Sequence, residues 1–306
     1  MSFVAVTAAG MLPFVALALL PLAAAQLARS SFLLPSPLQQ LLAATLTPAA
    51  AFLLGLFLNP GQSWVAAVVA TSFVALPALA IVAGARDGRR RDHVLLLVFA
   101  VTAIAFLSGL LGVYAAGKDP GRVMAAQSAK LLPDVLAFYR SSGVSEGFLS
   151  GVRRAFTLNE LALTRYFPGL VLVSALLYGV LLVYPFGALA GLRSRDLSES
   201  PFSRFSTPIW AAALFVPAGA AAALAGEPWR APAVDILLPL IVLFFLRGLA
   251  IIRALLDQAR AGCVGQALIF ALVLLTPFPV IVALGGLFDE FLNFRGRLAR
   301  RDTDHD

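Results

Sequence analysis

Charge is scarce in this chain. Asp, Glu, Lys and Arg make up 13% of its 306 residues, about half the roughly 25% of a soluble domain. Hydrophobic residues make up 60%, and mean hydropathy is +0.90. Cys263 is the one cysteine, which excludes an intrachain disulfide and any CxxC metal site. Of the two histidines, His93 stands at the start of an apolar run and His305 in the tail, and neither has a metal-ligand partner at suitable spacing. HExxH, GxSxG and P-loop patterns are absent, and no pair of carboxylates falls within an apolar run. These absences argue against a metal site, a cofactor and an enzyme.

Continuous apolar segments are plentiful. Eight of them approach the ~20 residues that cross a hydrocarbon core: residues 3–25, 38–58, 64–85, 94–117, 167–190, 208–225, 233–254 and 264–288. They do not alternate with a period of two, so they predict helices rather than barrel strands. The expected fold is all-α, a polytopic transmembrane bundle of about eight spans. It divides into a four-span half (1–117), a connection (118–166) and a second four-span half with a basic tail (167–306), all within one membrane domain. The N-terminal run has no Lys or Arg before Arg29, so it reads as a retained helix rather than a signal peptide. "NPGQS" (59–63) predicts a tight turn closing a helical hairpin.

The net charge is +7. Its cations sit in short clusters between apolar runs, as in "RDGRRRDH" (86–93), which is the pattern of cytoplasmic anchoring on anionic lipid headgroups. The expected partners are therefore the bilayer and its anionic lipids, not nucleic acid. Eight spans place the basic loops and the basic tail (295–301) on opposite faces of the membrane. The short, Ala-rich run 208–225 is the weakest of the eight, and a cytoplasmic C-terminus is the preferred orientation.

The central connection carries a pattern of its own. Met124, Leu131, Val135 and Phe138 recur at helical spacing, as do Phe148, Val152 and Phe156, with Lys130, Asp134, Arg140, Arg153 and Arg154 beside them. Two short amphipathic helices are predicted, lying in the interface or capping the bundle. Prolines such as Pro77, Pro217, Pro239 and Pro277 interrupt the apolar runs. They free carbonyls that other groups must satisfy. "GALAG" (187–191) allows a close helix approach.

Three places can carry binding chemistry. Arg247 lies deep in the seventh run, where a cation is costly unless paired. The simpler expectation is that it snorkels to the interface together with Arg253. The alternative is that it turns inward to meet Asp235, Asp289 or an anionic ligand. In "ESPFSRFSTPIW" (199–210), Arg204 stands among hydroxyls and aromatics, and Ser206 or Thr207 is expected to cap the following helix. The ending "LGGLFDEFLNFRGRLARR" (284–301) reads as an amphipathic continuation whose aromatics and arginines meet headgroups. That reading leaves Asp289 and Glu290 unexplained, because a carboxylate near anionic lipid needs a partner.

"TRYFPGLVLVSALLYGVLL", "PFSRFSTPIW", "FFLRGLAIIRALL" and "LGGLFDEFLNFRGR" resemble, in that order, the C-terminal half of the YybS-like family of bacterial membrane proteins, over about residues 165–297. Gly286, Leu287, Phe288, Asp289, Phe291, Phe294 and Arg295 form the family's ending box. Asn293 departs from it, and Phe205 and Phe291 stand where tryptophan is frequent. The resemblance implies a distant relation to the S-components of energy-coupling-factor transporters, which bind small ligands and dock on a coupling membrane subunit and an ATPase. The expected function is a non-enzymatic, small-molecule binding or transport subunit of the bacterial inner membrane. Its site would draw on Arg247, Tyr178, Tyr184, Arg204 and Asp235. The alternative is a scaffold for cell-envelope or division proteins.

Overall fold

The computed structural model describes residues 20–31, 36–58, 68, 70–87, 89–184, 202–259, 262–273, 275 and 278–292. Among these residues there are eleven α-helices and no strand. They are α1 (20–31), α2 (Pro37–Leu58), α3 (Leu76–Arg86), α4 (Arg91–Ala115), α5 (Pro120–Ser141), α6 (Glu146–Arg165), α7 (Phe167–Val183), α8 (Ile209–Leu224), α9 (Arg230–Gln258), α10 (Cys263–Val273) and α11 (Phe278–Leu292).

The expectation of eight spans is not met among the described residues. Two helices are long and apolar enough to cross a membrane, α4 with 25 residues and α9 with 29. At ~1.5 Å per residue these reach about 37 and 43 Å, against ~30 Å of hydrocarbon. The number rises to four if two bent pairs each count as one span: α6 with α7, bent by 100°, and residues 264–273 with α11, bent by 98°. The run 264–288 is therefore two helices rather than one. Pro279 stands at the second position of α11, where a missing N–H costs no helical bond. Thr71–Arg86 and Ile209–Leu224 are shorter apolar helices. Most of the predicted span 3–25, the "NPGQS" turn and the "GALAG" stretch lie outside the described residues.

The chain forms two compact units. One comprises Met1–Ala105, Ser174–Pro208 and Leu243–Asp306. Its core holds Ile81, Val82, Leu95, Leu176, Leu182 and Phe244, all fully buried. Gln40 in α2 donates to the Ser31 carbonyl at the end of α1, 3.2 Å away. Before α3, Thr71–Ala75 forms a turn of π-helix, in which the Leu76 N–H reaches back to the Thr71 carbonyl. Pro77 has no N–H to offer the Phe73 carbonyl four residues earlier. The Tyr178 hydroxyl donates to that carbonyl, and its ring meets Phe73 edge-on at 5.4 Å.

In the same unit, α9 and α11 cross with their backbones nearly touching. A Cβ added at Gly286 would lie 2.7 Å from the Gly248 nitrogen, and one at Gly248 would lie 2.6 Å from Val282 Cγ1. Small residues at a crossing are what allows such contact between apolar helices, where dispersion replaces the hydrophobic drive. The crossing sets Arg247, next to Gly248, opposite Asp289, one turn beyond Gly286.

The other unit comprises Phe106–Val173 and Ile209–Val242. The two amphipathic helices predicted for the connection are present, and they are long: 22 residues in α5 and 20 in α6. Asp119 caps α5 by accepting the Arg122 N–H, and Ser145 caps α6 by accepting that of Phe148. Gly117 and Gly143 close the helices before them in the left-handed conformation, at φ 72° and 73°. The two helices pair with each other: Asn159 donates to Ser128 at 3.1 Å, and a Cβ added at Gly121 would run into the Leu163 carbonyl of α6. Arg165 pairs with Glu227.

The crossing of α9 and α11 makes a direct prediction. Gly286→Ala forces two backbones apart and lowers the unfolding midpoint in mild detergent. Gly285→Ala, whose Cβ would meet nothing within 4 Å, leaves that midpoint unchanged.

Candidate functional site: a buried guanidinium centre

Arg247 does not snorkel. Its side chain is 9% exposed and points into its unit, where Nε donates to Asp289 Oδ2 at 3.0 Å. Nη1 donates to Thr207 Oγ1 at 2.6 Å and also pairs with Glu290. The Thr207 hydroxyl in turn donates to Glu290 Oε2 at 2.9 Å. The planar fork of arginine suits this arrangement, since it delivers several donors in fixed directions. Asp289 is 1% exposed. Such burial is tolerable only because the charges meet one another directly. Arg253, by contrast, lies at the surface, pairing with Asp257 at 3.1 Å and with Gln266.

A second buried carboxylate stands beside this centre. Asp92, in the first turn of α4, is 4% exposed and accepts the Ser206 hydroxyl at 2.7 Å. Arg90 pairs with the same carboxylate at 3.2 Å and also donates to the Arg204 carbonyl at 3.1 Å. The other Asp92 oxygen accepts the His93 N–H and lies 3.4 Å from the exposed His93 imidazole. The segment 202–208 thus bridges two buried charge clusters through consecutive hydroxyls, Ser206 to Asp92 and Thr207 to Arg247 and Glu290. Both hydroxyls, expected as helix caps, bond to side chains of distant helices. Phe205 anchors the segment, fully buried and stacked on Phe202, whose ring also meets Tyr184 edge-on at 5.1 Å.

The expected site residues therefore divide. Arg247 joins the centre. Arg204 reaches its edge through a backbone carbonyl, and Tyr184 through an aromatic contact with the same segment. Tyr178 is tied to Phe73 in the helix bundle. Asp235 belongs to the other unit, where it accepts the Gly169 N–H at 2.9 Å near the start of α7. In the ending box, Gly286 and Asp289 are buried and Leu287 is half-buried, while Phe288 and Phe291 are exposed. Phe294 and Arg295 lie outside the described residues. Glu290, Thr207, Ser206 and Asp92 were not among the expected binding residues. The sequence signals for them were the hydroxyl-rich stretch 199–210, which holds Ser206 and Thr207, and the unexplained Asp289–Glu290 pair.

Membrane-length apolar helices and a buried, charge-compensated centre define the class: a helical membrane protein. The chain belongs to the family described as Predicted membrane protein (DUF2232), whose profile matches residues 1–290. The match includes the N-terminal half, which no motif had distinguished, and stops before Phe291, Phe294 and Arg295. No curated protein and no solved structure matches the chain.

Thr207→Val keeps the side-chain shape but removes one hydrogen-bond partner each from Arg247 and Glu290. It should cost roughly 1–3 kcal/mol, read as a shift in the denaturant midpoint in mixed micelles. Thr207→Ser should restore most of that loss.

Proposed function

We propose that the protein is a non-enzymatic subunit of the bacterial inner membrane that binds or transports a small molecule, with the Arg247 centre as the polar anchor of its site. The observation that carries this reading is the burial of Arg247, Asp289 and Thr207 together, with the half-buried Glu290 joined to them. Ionisable groups in such surroundings are costly and mark ligand or ion sites more often than inert structure. Interrupted helices support it as well: α11 is one half of a bent pair, and the π-turn before α3 lies in the same unit. A few polar groups converging in apolar surroundings is the usual composition of a small-molecule site.

The geometry also suggests how binding would be felt elsewhere. An anionic ligand reaching Arg247 would compete with Thr207 and Glu290 for Nη1. Displacing Thr207 would loosen the 202–208 segment and, through Ser206, its bond to Asp92. Ligand exchange and movement of this segment are then one event, which a separate coupling subunit and ATPase could use.

Mass spectrometry of the tagged protein, purified from its native membrane in mild detergent, tests the reading. The wild type should retain one stoichiometric metabolite, and Arg247→Lys should lose it while keeping its helical content and monodisperse elution. Recovery of envelope or division proteins alone, with no metabolite above background, would replace this reading with the scaffold.

A further inference from the structure

The α5–α6 hairpin has more apolar surface than its own pairing uses. Gly121, Ala125, Leu136 and Leu149 are buried. A second stripe is left exposed: Met124, Leu131 and Phe138 at seven-residue intervals on α5, and Phe148 and Leu158 on α6. The two halves of this stripe meet at the hairpin tip, where Tyr139 bridges Phe138 and Phe148 with centroid distances of 5.6 and 5.2 Å. Charge surrounds it. Residues 118–165 hold seven Lys or Arg and four Asp or Glu, a balance of 7 − 4 = +3. Lys130 and Arg154 flank the stripe on either helix, each exposed.

The attachment of the hairpin at its two ends says what covers this face. At one end, α4 is a membrane-length apolar helix that closes at Gly117, three residues before α5 begins. At the other, α6 passes into α7, seventeen residues without a charge, through a bend of 100°. With α7 along the bilayer normal, α6 lies within 100 − 90 = 10° of the membrane plane. A basic amphipathic helix pair held in that plane, joined at both ends to apolar helices, fits a lipid surface.

We propose that the α5–α6 hairpin is an interfacial anchor that lays the Met124–Leu131–Phe138 and Phe148–Leu158 stripe into the headgroup–acyl boundary of an anionic leaflet, with Lys130 and Arg154 on lipid phosphates. Apolar burial supplies the attachment and the flanking cations supply the preference for anionic lipid. This inference stands independently of the small-molecule reading, since it involves no residue of the Arg247 centre.

The test uses the full chain carrying Cys263→Ser, with single spin-labelled cysteines at Leu131, Phe148, Arg140 or Thr157, in nanodiscs of phosphatidylcholine with or without phosphatidylglycerol. Power saturation compares collisions with oxygen, which favours lipid, and with a water-soluble nickel chelate. Leu131 and Phe148 should favour oxygen, and Arg140 and Thr157 should favour nickel. Removing phosphatidylglycerol, or combining Lys130→Ser with Arg154→Ser, should shift the first two labels toward nickel. Nickel accessibility at all four positions in both lipids would overturn the proposal by placing the hairpin in water. Shielding of Leu131 and Phe148 from both reagents would overturn it by showing a protein cover. Indifference to phosphatidylglycerol would overturn the anionic preference.

Discussion

A guanidinium removed from water needs acceptors in the right places, and much of the larger unit is arranged to supply them to Arg247. The carboxylates come from the end of α11 and the hydroxyl from an irregular segment some forty residues before Arg247. Each partner would itself be costly to bury alone. Their positions are therefore interdependent: α9 brings the cation, α11 the anions, and Phe205 fixes the segment that carries Thr207.

The backbone geometry serves the same requirement. Gly248 and Gly286 let α9 and α11 approach closely enough for Nε of Arg247 to reach Asp289 at 3.0 Å. Elsewhere in the unit, the Phe73 carbonyl, four residues before Pro77, accepts from Tyr178, more than a hundred positions later in the chain. Both cases follow one rule of apolar surroundings: a polar group that loses a local partner must find a distant one. The consecutive bonds of Ser206 and Thr207 extend that rule to a short non-helical segment, tying Asp92 of α4 to the centre built by α9 and α11.

Helix content was legible in the sequence because continuous apolar runs without period-two alternation allow little else. Where helices break was not. The run 264–288 looks uniform in hydropathy, yet it holds two helices at 98°. Periodicity also located the faces of α5 and α6 without saying what each face meets. Ala125 and Leu149 turn inward, while Met124 and Leu131, equally apolar, remain exposed. The site was legible in part. Arg247 was noticed because a lone cation in an apolar run is conspicuous, and Asp289 was one of the two carboxylates weighed as its partner. Thr207 and Ser206 looked like helix caps because local spacing allows that role. Pairing across forty or more residues leaves no trace in local spacing.

Arg247 and Asp289 act as one buried unit on which the packing of α9 against α11 depends. A double-mutant cycle in mixed micelles, with Arg247→Met, Asp289→Leu and the pair together, measures this directly. Arg247→Met leaves Asp289 without its cation and should cost roughly 3–5 kcal/mol; Asp289→Leu, which leaves Arg247 with Glu290 and Thr207, should cost less. The double change should cost clearly less than the sum of the two, because the charges disappear together. Additive losses, or single changes that leave the unfolding midpoint unmoved, would show that the two residues do not depend on each other and would contradict the central claim.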